Sequence, residues 1–264
     1  MIYDILTEIK KRGGNVARGK KLIDGQFTFE FCLDTNNYVV QSNTLICGKQ
    51  ALKLNSAKLI RSAIMQVVKE DEELNPYIIS IQKLSDLLHI PPSNIYRDID
   101  EITNDIINNP VFIKVDSGKR SAWIKIPWVS RCEYHSDIGV LIKLNDELKP
   151  YLINLKEHYT QYALENVLAM KSIYGIRIFE LIQEKCMLKV LPRQGTNILL
   201  SIQEIRECCD CMDKYKKWSH LKSRVIDAAV KEIQRTTLYS VEYDCLKSGR
   251  KIESIQFHIN MKYH

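Results

Sequence analysis

The chain has 264 residues, 45% hydrophobic and 27% charged, with a formal charge of +6; at about 100–200 residues per domain it holds two. It lacks any run of about 18 apolar residues, and the opening MIYDILTEIKKRGG lacks the basic-then-apolar layout of a signal peptide, which excludes membrane-spanning and secreted readings and predicts a cytoplasmic protein. The charge is uneven. From Pro150 onward 18 Lys and Arg stand against 13 Asp and Glu, while the first 149 residues carry 20 against 19, so the second half points to a polyanionic partner.

Residues 1–37 read as an N-terminal extension. A short amphipathic helix over Ile2–Lys11 precedes a basic arm, KRGGNVARGKK, and LIDGQFTFEFCL then reads as one or two strands. Gly14 and Gly19-Lys20 imitate a phosphate-binding loop, but Lys21 stands where Ser or Thr should hold Mg²⁺, and no strand precedes the loop. An arm lying along phosphates fits better.

A first domain is expected over residues 38–155. Asn55-Ser56 caps a helix to about Lys69, and Tyr77–Ser80 is a short strand. A short helix, Ile81–His89, ends at Ile90-Pro91-Pro92, because proline cannot continue it. Ser93 then caps a helix to about Ile107 with Ile95, Ile99, Ile102 and Ile106 on one face. Strands Val111–Val115 and Ala122–Pro127 follow around a basic, Gly-containing tip with Lys119 and Arg120. Helix, turn, helix and hairpin make a winged helix. Strand Ile138–Leu144 and a helix over Asp146–Leu155 complete the domain.

The same order returns in residues 156–264. A helix within Ala163–Lys185 places Gly175, Ile178, Phe179, Ile182 and Cys186 on one apolar face. Arg177, Glu180 and Glu184 fall opposite, with Arg177 and Glu180 spaced to pair. Gly175 suggests close packing on a neighbouring backbone. A short helix from Ser201 or Ile202 to Cys211, a turn over Met212–Tyr215 and a long helix over Lys217–Arg235 follow. Leu221, Val225, Ile226, Ala229, Val230 and Ile233 face inward. Strands Leu238–Leu246 and Ile252–Met261 enclose a basic tip. The predicted fold is α+β, mainly α: two tandem winged helices.

The two long helices differ in charge. Residues 94–107 carry Arg97 against Asp98, Asp100, Glu101 and Asp105. Residues 214–235 carry seven Lys and Arg against Asp227 and Glu232, with Lys217, His220, Arg224, Lys231 and Arg235 on the polar face. An element entering the major groove needs the second balance. The predicted DNA-binding residues are therefore Lys214, Lys216, Lys217, Ser219, His220, Lys222, Ser223 and Arg224. The second wing adds Lys247, Arg250 and Lys251, and the first wing adds Lys119 and Arg120. The first domain is expected to serve mainly structure or dimerisation.

No enzyme, cofactor or metal site is expected. The six histidines form no H-x-H or H-E-x-x-H pair, and no G-x-S-x-G elbow is present. Cys208, Cys209 and Cys211 lack the second pair that tetrahedral zinc requires.

The segment Lys171-Ser172-Ile173-Tyr174-Gly175-Ile176-Arg177-Ile178-Phe179-Glu180-Leu181-Ile182 resembles a segment of the replication initiators of iteron-containing bacterial plasmids. Pro150-Tyr151-Leu152, Leu155, Tyr159-Thr160 and Tyr162 resemble that family's interdomain passage, and Val40-Gln41-Ser42-Asn43-Thr44-Leu45 the start of its first domain. The resemblance runs from Tyr38 to the C-terminus. It implies monomers that bind direct repeats in double-stranded origin DNA with both domains. It also implies homodimers that pair through the first domain and repress their own gene, opening of an adjacent AT-rich duplex, and recruitment of a host initiator and replicative helicase. A winged-helix transcriptional repressor without a replication role is the alternative.

Overall fold

The computed structural model describes residues 20–23, 26–30, 38–117, 120–136, 138–186 and 195–262, and within these only the backbone of 20–23, 26–30, 116–117 and 120–121. The expected helix over Ile2–Lys11 and most of the basic arm therefore lie outside the described residues. Strands β1 (Lys20–Ile23) and β2 (Gln26–Glu30) form an antiparallel pair, and β2 runs parallel to β4 (Pro76–Ile79), with Phe29 opposite Tyr77. A strand thus stands at Lys20–Ile23, where a phosphate-binding loop would start a helix.

The first unit begins with β3 (Tyr38–Ser42) and α1 (Asn43–Cys47), whose N-terminus is capped by Ser42. Helix α2 (Leu54–Met65) is not capped by Asn55 or Ser56 as expected. The Lys53 amide at its start donates to the Asp105 carboxylate, and Ser56 is buried with its hydroxyl aimed at the Ile102 carbonyl. Ser80 caps α3 (Ile81–Leu88), which ends at His89 in the left-handed conformation. Helix α4 (Pro92–Asn108) starts one residue before the expected Ser93 cap, because Pro92 takes the first helical position, where its missing N–H costs nothing. Ile95, Ile99, Ile102 and Ile106 are buried, as their spacing predicts.

Strands β5 (Val111–Ser117) and β6 (Arg120–Ile126) form the first wing. Strands β7 (Val129–His135) and β8 (Gly139–Leu144) follow, giving a five-stranded sheet in the order β1-β2-β4-β8-β7. The expected helix over Asp146–Leu155 is shorter: a 3-10 turn, Asp146–Leu148, runs into α5 (Lys149–Leu152). Strand β9 (Tyr159–Ala163) returns to pair antiparallel with β3, and α6 (Leu164–Leu168) leads to α7 (Ile173–Cys186).

Helix α7 touches both halves of the molecule. The face opposite its apolar one is also buried: Arg177 is 1% exposed and Glu180 0%. Arg61 on α2 grips Glu180 with two hydrogen bonds of 3.0 Å each, while Tyr162 and Gln41 donate to the same carboxylate. Arg177 pairs with Glu180 as its spacing predicts. It also donates to the carbonyls of Ile46 and Gly48 in the first unit (2.6 and 2.9 Å) and of Cys208 in the second (3.3 Å). Burial alone would raise the Glu180 carboxyl, but Arg61 first and Arg177 second hold it down at about 2.

The second unit runs β10 (Thr196–Ser201), α8 (Ile202–Cys208) capped by Ser201, and α9. Helix α9 is built from Trp218–Leu221, a π-helical turn at Lys222–Ile226, and Asp227–Thr236. Strands β11 (Tyr239–Ser248) and β12 (Lys251–Met261) make the second wing and continue into a three-stranded sheet, β10-β12-β11. Leu221, Val225, Ile226, Ala229 and Ile233 are buried, as are Ile255, Phe257 and Ile259 of β12; Val230 is half-buried at the margin of this core. A Cβ on Gly175 would stand 3.0 Å from the Glu232 Cβ of α9, so the glycine lets α7 and α9 approach closely.

Candidate nucleic-acid interface

The turn between α8 and α9 is held by Arg206, whose guanidinium donates to the carbonyls of Cys211, Lys214 and Tyr215 at 2.8–2.9 Å. Asp210 and Tyr215 both take positive φ there, 48° and 51°, a conformation that costs a non-glycine residue unless neighbours fix it. Sequence reasoning missed Arg206, because its role depends on three carbonyls gathered by the turn. The pinned turn sets where α9 begins.

Lys216, Lys217, Ser219 and His220 lie exposed on the first turn of α9 and the residues before it. Lys214 is exposed and paired with Asp210 at 3.3 Å. Ser223 is exposed, and its hydroxyl rests 3.5 Å from the His220 carbonyl. Arg224 is exposed with its guanidinium 5.8 Å from the centre of the Tyr215 ring, a cation–π contact that restricts it without consuming its donors. Residues 214–224 thus gather on one end of α9, the end that enters a groove in helix-turn-helix proteins.

Lys222 behaves differently from its neighbours. Its ammonium sits 3.1 Å from both oxygens of Asp227 and 5.5 Å from the Tyr243 ring centre, and these two partners push its pKa up. Tyr243, on β11, donates to the same Asp227 carboxylate at 2.5 Å. The polar face expected from 3.6-residue spacing also changes along the helix, since a π turn adds about one residue to one turn. Lys231 stays exposed, but Arg235 donates to the Ala169 carbonyl and pairs with Glu232.

Lys247, Arg250 and Lys251 are exposed around Gly249 at the tip of the second wing, where Gly249 takes a φ of 59°. Of the first-wing pair, Lys119 lies outside the described residues. Arg120 pairs through its backbone opposite Ser117, and its side chain is not described. Helix α4 keeps its acidic surface: Arg97 is occupied by Asp98, and Glu101 holds Lys53. The first wing instead exposes Trp123, which stacks on the half-buried Phe112 at 5.2 Å, with Lys125 5.0 Å from the indole centre.

Cys208, Cys209 and Cys211 are buried in the packing behind the turn. Burial pushes the Cys208 thiol up to about 11, and its Sγ donates to the Cys47 carbonyl. Among the described residues no three His, Cys, Asp or Glu side chains come together closely enough to hold a metal ion. No helix among them is long and apolar enough to cross a membrane.

Two helix-turn-helix units, each followed by a β-hairpin and the second presenting a basic helix, define a tandem winged-helix DNA-binding protein. Residues 38–183 match the family model described as initiator replication protein, WH1, and residues 201–259 match initiator Rep protein, WH2. The chain belongs to this family of replication initiators. A crystal structure of the Pi initiator protein in complex with iteron DNA superposes with a TM-score of 0.69 at 18% identity, covering 87% of this chain and 99% of that one. An uncharacterized 27.6 kDa protein of Escherichia coli is 22% identical over 231 residues, 82% of this chain and 93% of the relative.

Proposed function

We propose that this protein initiates plasmid replication by binding direct repeats at the origin, with the second unit reading sequence and the first contributing backbone contacts. The exposed cationic end of α9 beside a cationic wing carries this reading. Arg224 supplies the fork that matches guanine, and Lys216, Lys217 and the wing tip supply phosphate contacts. The acidic α4 cannot lie along phosphates without repulsion, so the first unit touches DNA through its wing, Lys119 and Arg120, and pairs two copies when the protein dimerises. Assembly on the repeats opens the adjacent AT-rich duplex and recruits the host initiator and helicase, and the dimer represses the protein's own gene. The Pi initiator's complex with iteron DNA supports the repeat as the target. No reacting constellation is needed for such a role, and the protein acts by binding alone.

A nuclease footprint on the DNA flanking the protein's own gene tests the proposal. Several protected direct repeats, about two helical turns apart and next to an AT-rich tract, are expected. A single protected palindrome over the promoter would leave a repressor without an initiation role.

A further inference from the structure

Asp227 is an acidic residue in a stretch otherwise built for a polyanion. It sits where the π turn ends, and its amide donates to the Lys222 carbonyl, the i to i+5 bond that defines such a turn. On a regular α-helix, residues five apart do not face each other. The wider π turn brings Lys222 and Asp227 to the same side, and the carboxylate takes the ammonium on both oxygens. Tyr243 from the wing strand closes the arrangement at 2.5 Å, with its ring beneath the ammonium. Helix, π turn and wing therefore meet at one carboxylate.

We propose that Asp227 is a specificity-determining residue that withholds Lys222 from DNA phosphates and ties the second wing to the reading helix. This rests on the assignment of α9 as the reading helix. A free lysine on that helix would take any phosphate within reach, a contact that carries no sequence information; an unrelated duplex can shift to make it, whereas on the repeat the base contacts fix the register. Held by Asp227, Lys222 adds no such contact, and the exposed Arg224, two residues on, remains to read a base edge. The tie to Tyr243 sets the wing against the helix, so that groove and backbone contacts are made in one register. Asp227 and Tyr243 touch no DNA in this account; they are positioning residues.

The test compares the full-length wild-type protein, Asp227→Asn and Tyr243→Phe on two duplexes across a salt series. One duplex is the footprinted repeat, and the other is a shuffled sequence of equal length and composition. Asp227→Asn should bind the shuffled duplex about three- to tenfold more tightly, with a log K against log salt slope steeper by about 0.9, one phosphate contact. With the repeat affinity unchanged, its ratio of repeat to shuffled affinity should fall by about the same three- to tenfold. Tyr243→Phe keeps the ion pair, so its binding to the shuffled duplex and its salt slope should match wild type while the ratio falls less. Asp227→Asn removes the charge but keeps an amide oxygen that can accept from Tyr243, whereas Tyr243→Phe removes that hydrogen bond and keeps the charge; a Tyr243→Phe variant that changes the shuffled-duplex affinity and the salt slope as much as Asp227→Asn does overturns the proposal. So does an Asp227→Asn ratio within twofold of wild type. A wild-type protein that fails to distinguish the two duplexes overturns the reading-helix assignment itself, and this proposal with it.

Discussion

Arg224 and Lys222 lie two residues apart on one helix, yet their settings differ. The Arg224 guanidinium rests on the Tyr215 ring with its donors open to solvent, whereas the Lys222 ammonium is spent on Asp227. Arg224→Ala should therefore cost about 1–3 kcal/mol on the cognate repeat, with little change on unrelated DNA; equal losses on both duplexes, measured by titration, would show a phosphate contact. Glu180 sets a different expectation. Its carboxyl stands near 4.5 in an unexceptional setting and at about 2 in the fold, so its contribution to stability is complete above about pH 4.5. It is lost as pH falls toward 2. Glu180→Gln leaves two buried guanidiniums without their counter-charge and should destabilise the protein at pH 7 by roughly 3–5 kcal/mol. Chemical denaturation at pH 7 and pH 4 checks both points: the difference between variant and wild type should narrow at the lower pH.

At the scale of elements, α7 and α9 pack where Gly175 meets Glu232, and Glu232 is itself held by the Lys171 amide and Arg235. Alanine ordinarily favours a helix interior over glycine by about 1 kcal/mol. Here the facing Cβ cannot retreat, and Gly175→Ala should instead lower stability by about 1–3 kcal/mol in a thermal or denaturant melt. The second wing gives a contrasting expectation. Replacing Lys247, Arg250 and Lys251 together by alanine should weaken all duplexes alike and flatten the salt slope by up to about 0.9 per lost contact. Much of this architecture was legible in the sequence. Four isoleucines at helical spacing announce α4, paired strands around glycine-containing basic tips announce the wings, and charge separates α9 from α4. Strands β7, β9 and β10 were not legible. The partner of β9 is β3, far away at the start of the first unit, so no local turn betrays the pairing. Periodicity places Arg177 and Glu180 opposite the apolar face but does not show what receives them, because only the folded chain brings Arg61, Gln41 and Tyr162 together there. The π turn follows from no residue type, and the partnership of Lys222 with Asp227 was hidden with it.

Across the whole molecule, two kinds of contact join the units. Lys49 with Asp210 and Lys114 with Glu207 are partly exposed pairs of 2.8 and 2.6 Å, and each should contribute less than about 1 kcal/mol in a double-mutant cycle. The deeper joint is Arg177, whose one guanidinium holds carbonyls of Ile46, Gly48 and Cys208 from both sides. Lysine offers a single ammonium there and cannot reproduce that fork. A joint of this kind works as a fixed caliper. On the proposed reading, with both units on one repeat, this joint predicts a span between the units that is fixed before DNA arrives, so that the repeat must fit it. Adding five base pairs inside one repeat rotates its far half by about half a helical turn, and such a site should lose the first unit's contacts entirely rather than be followed by a pivoting domain.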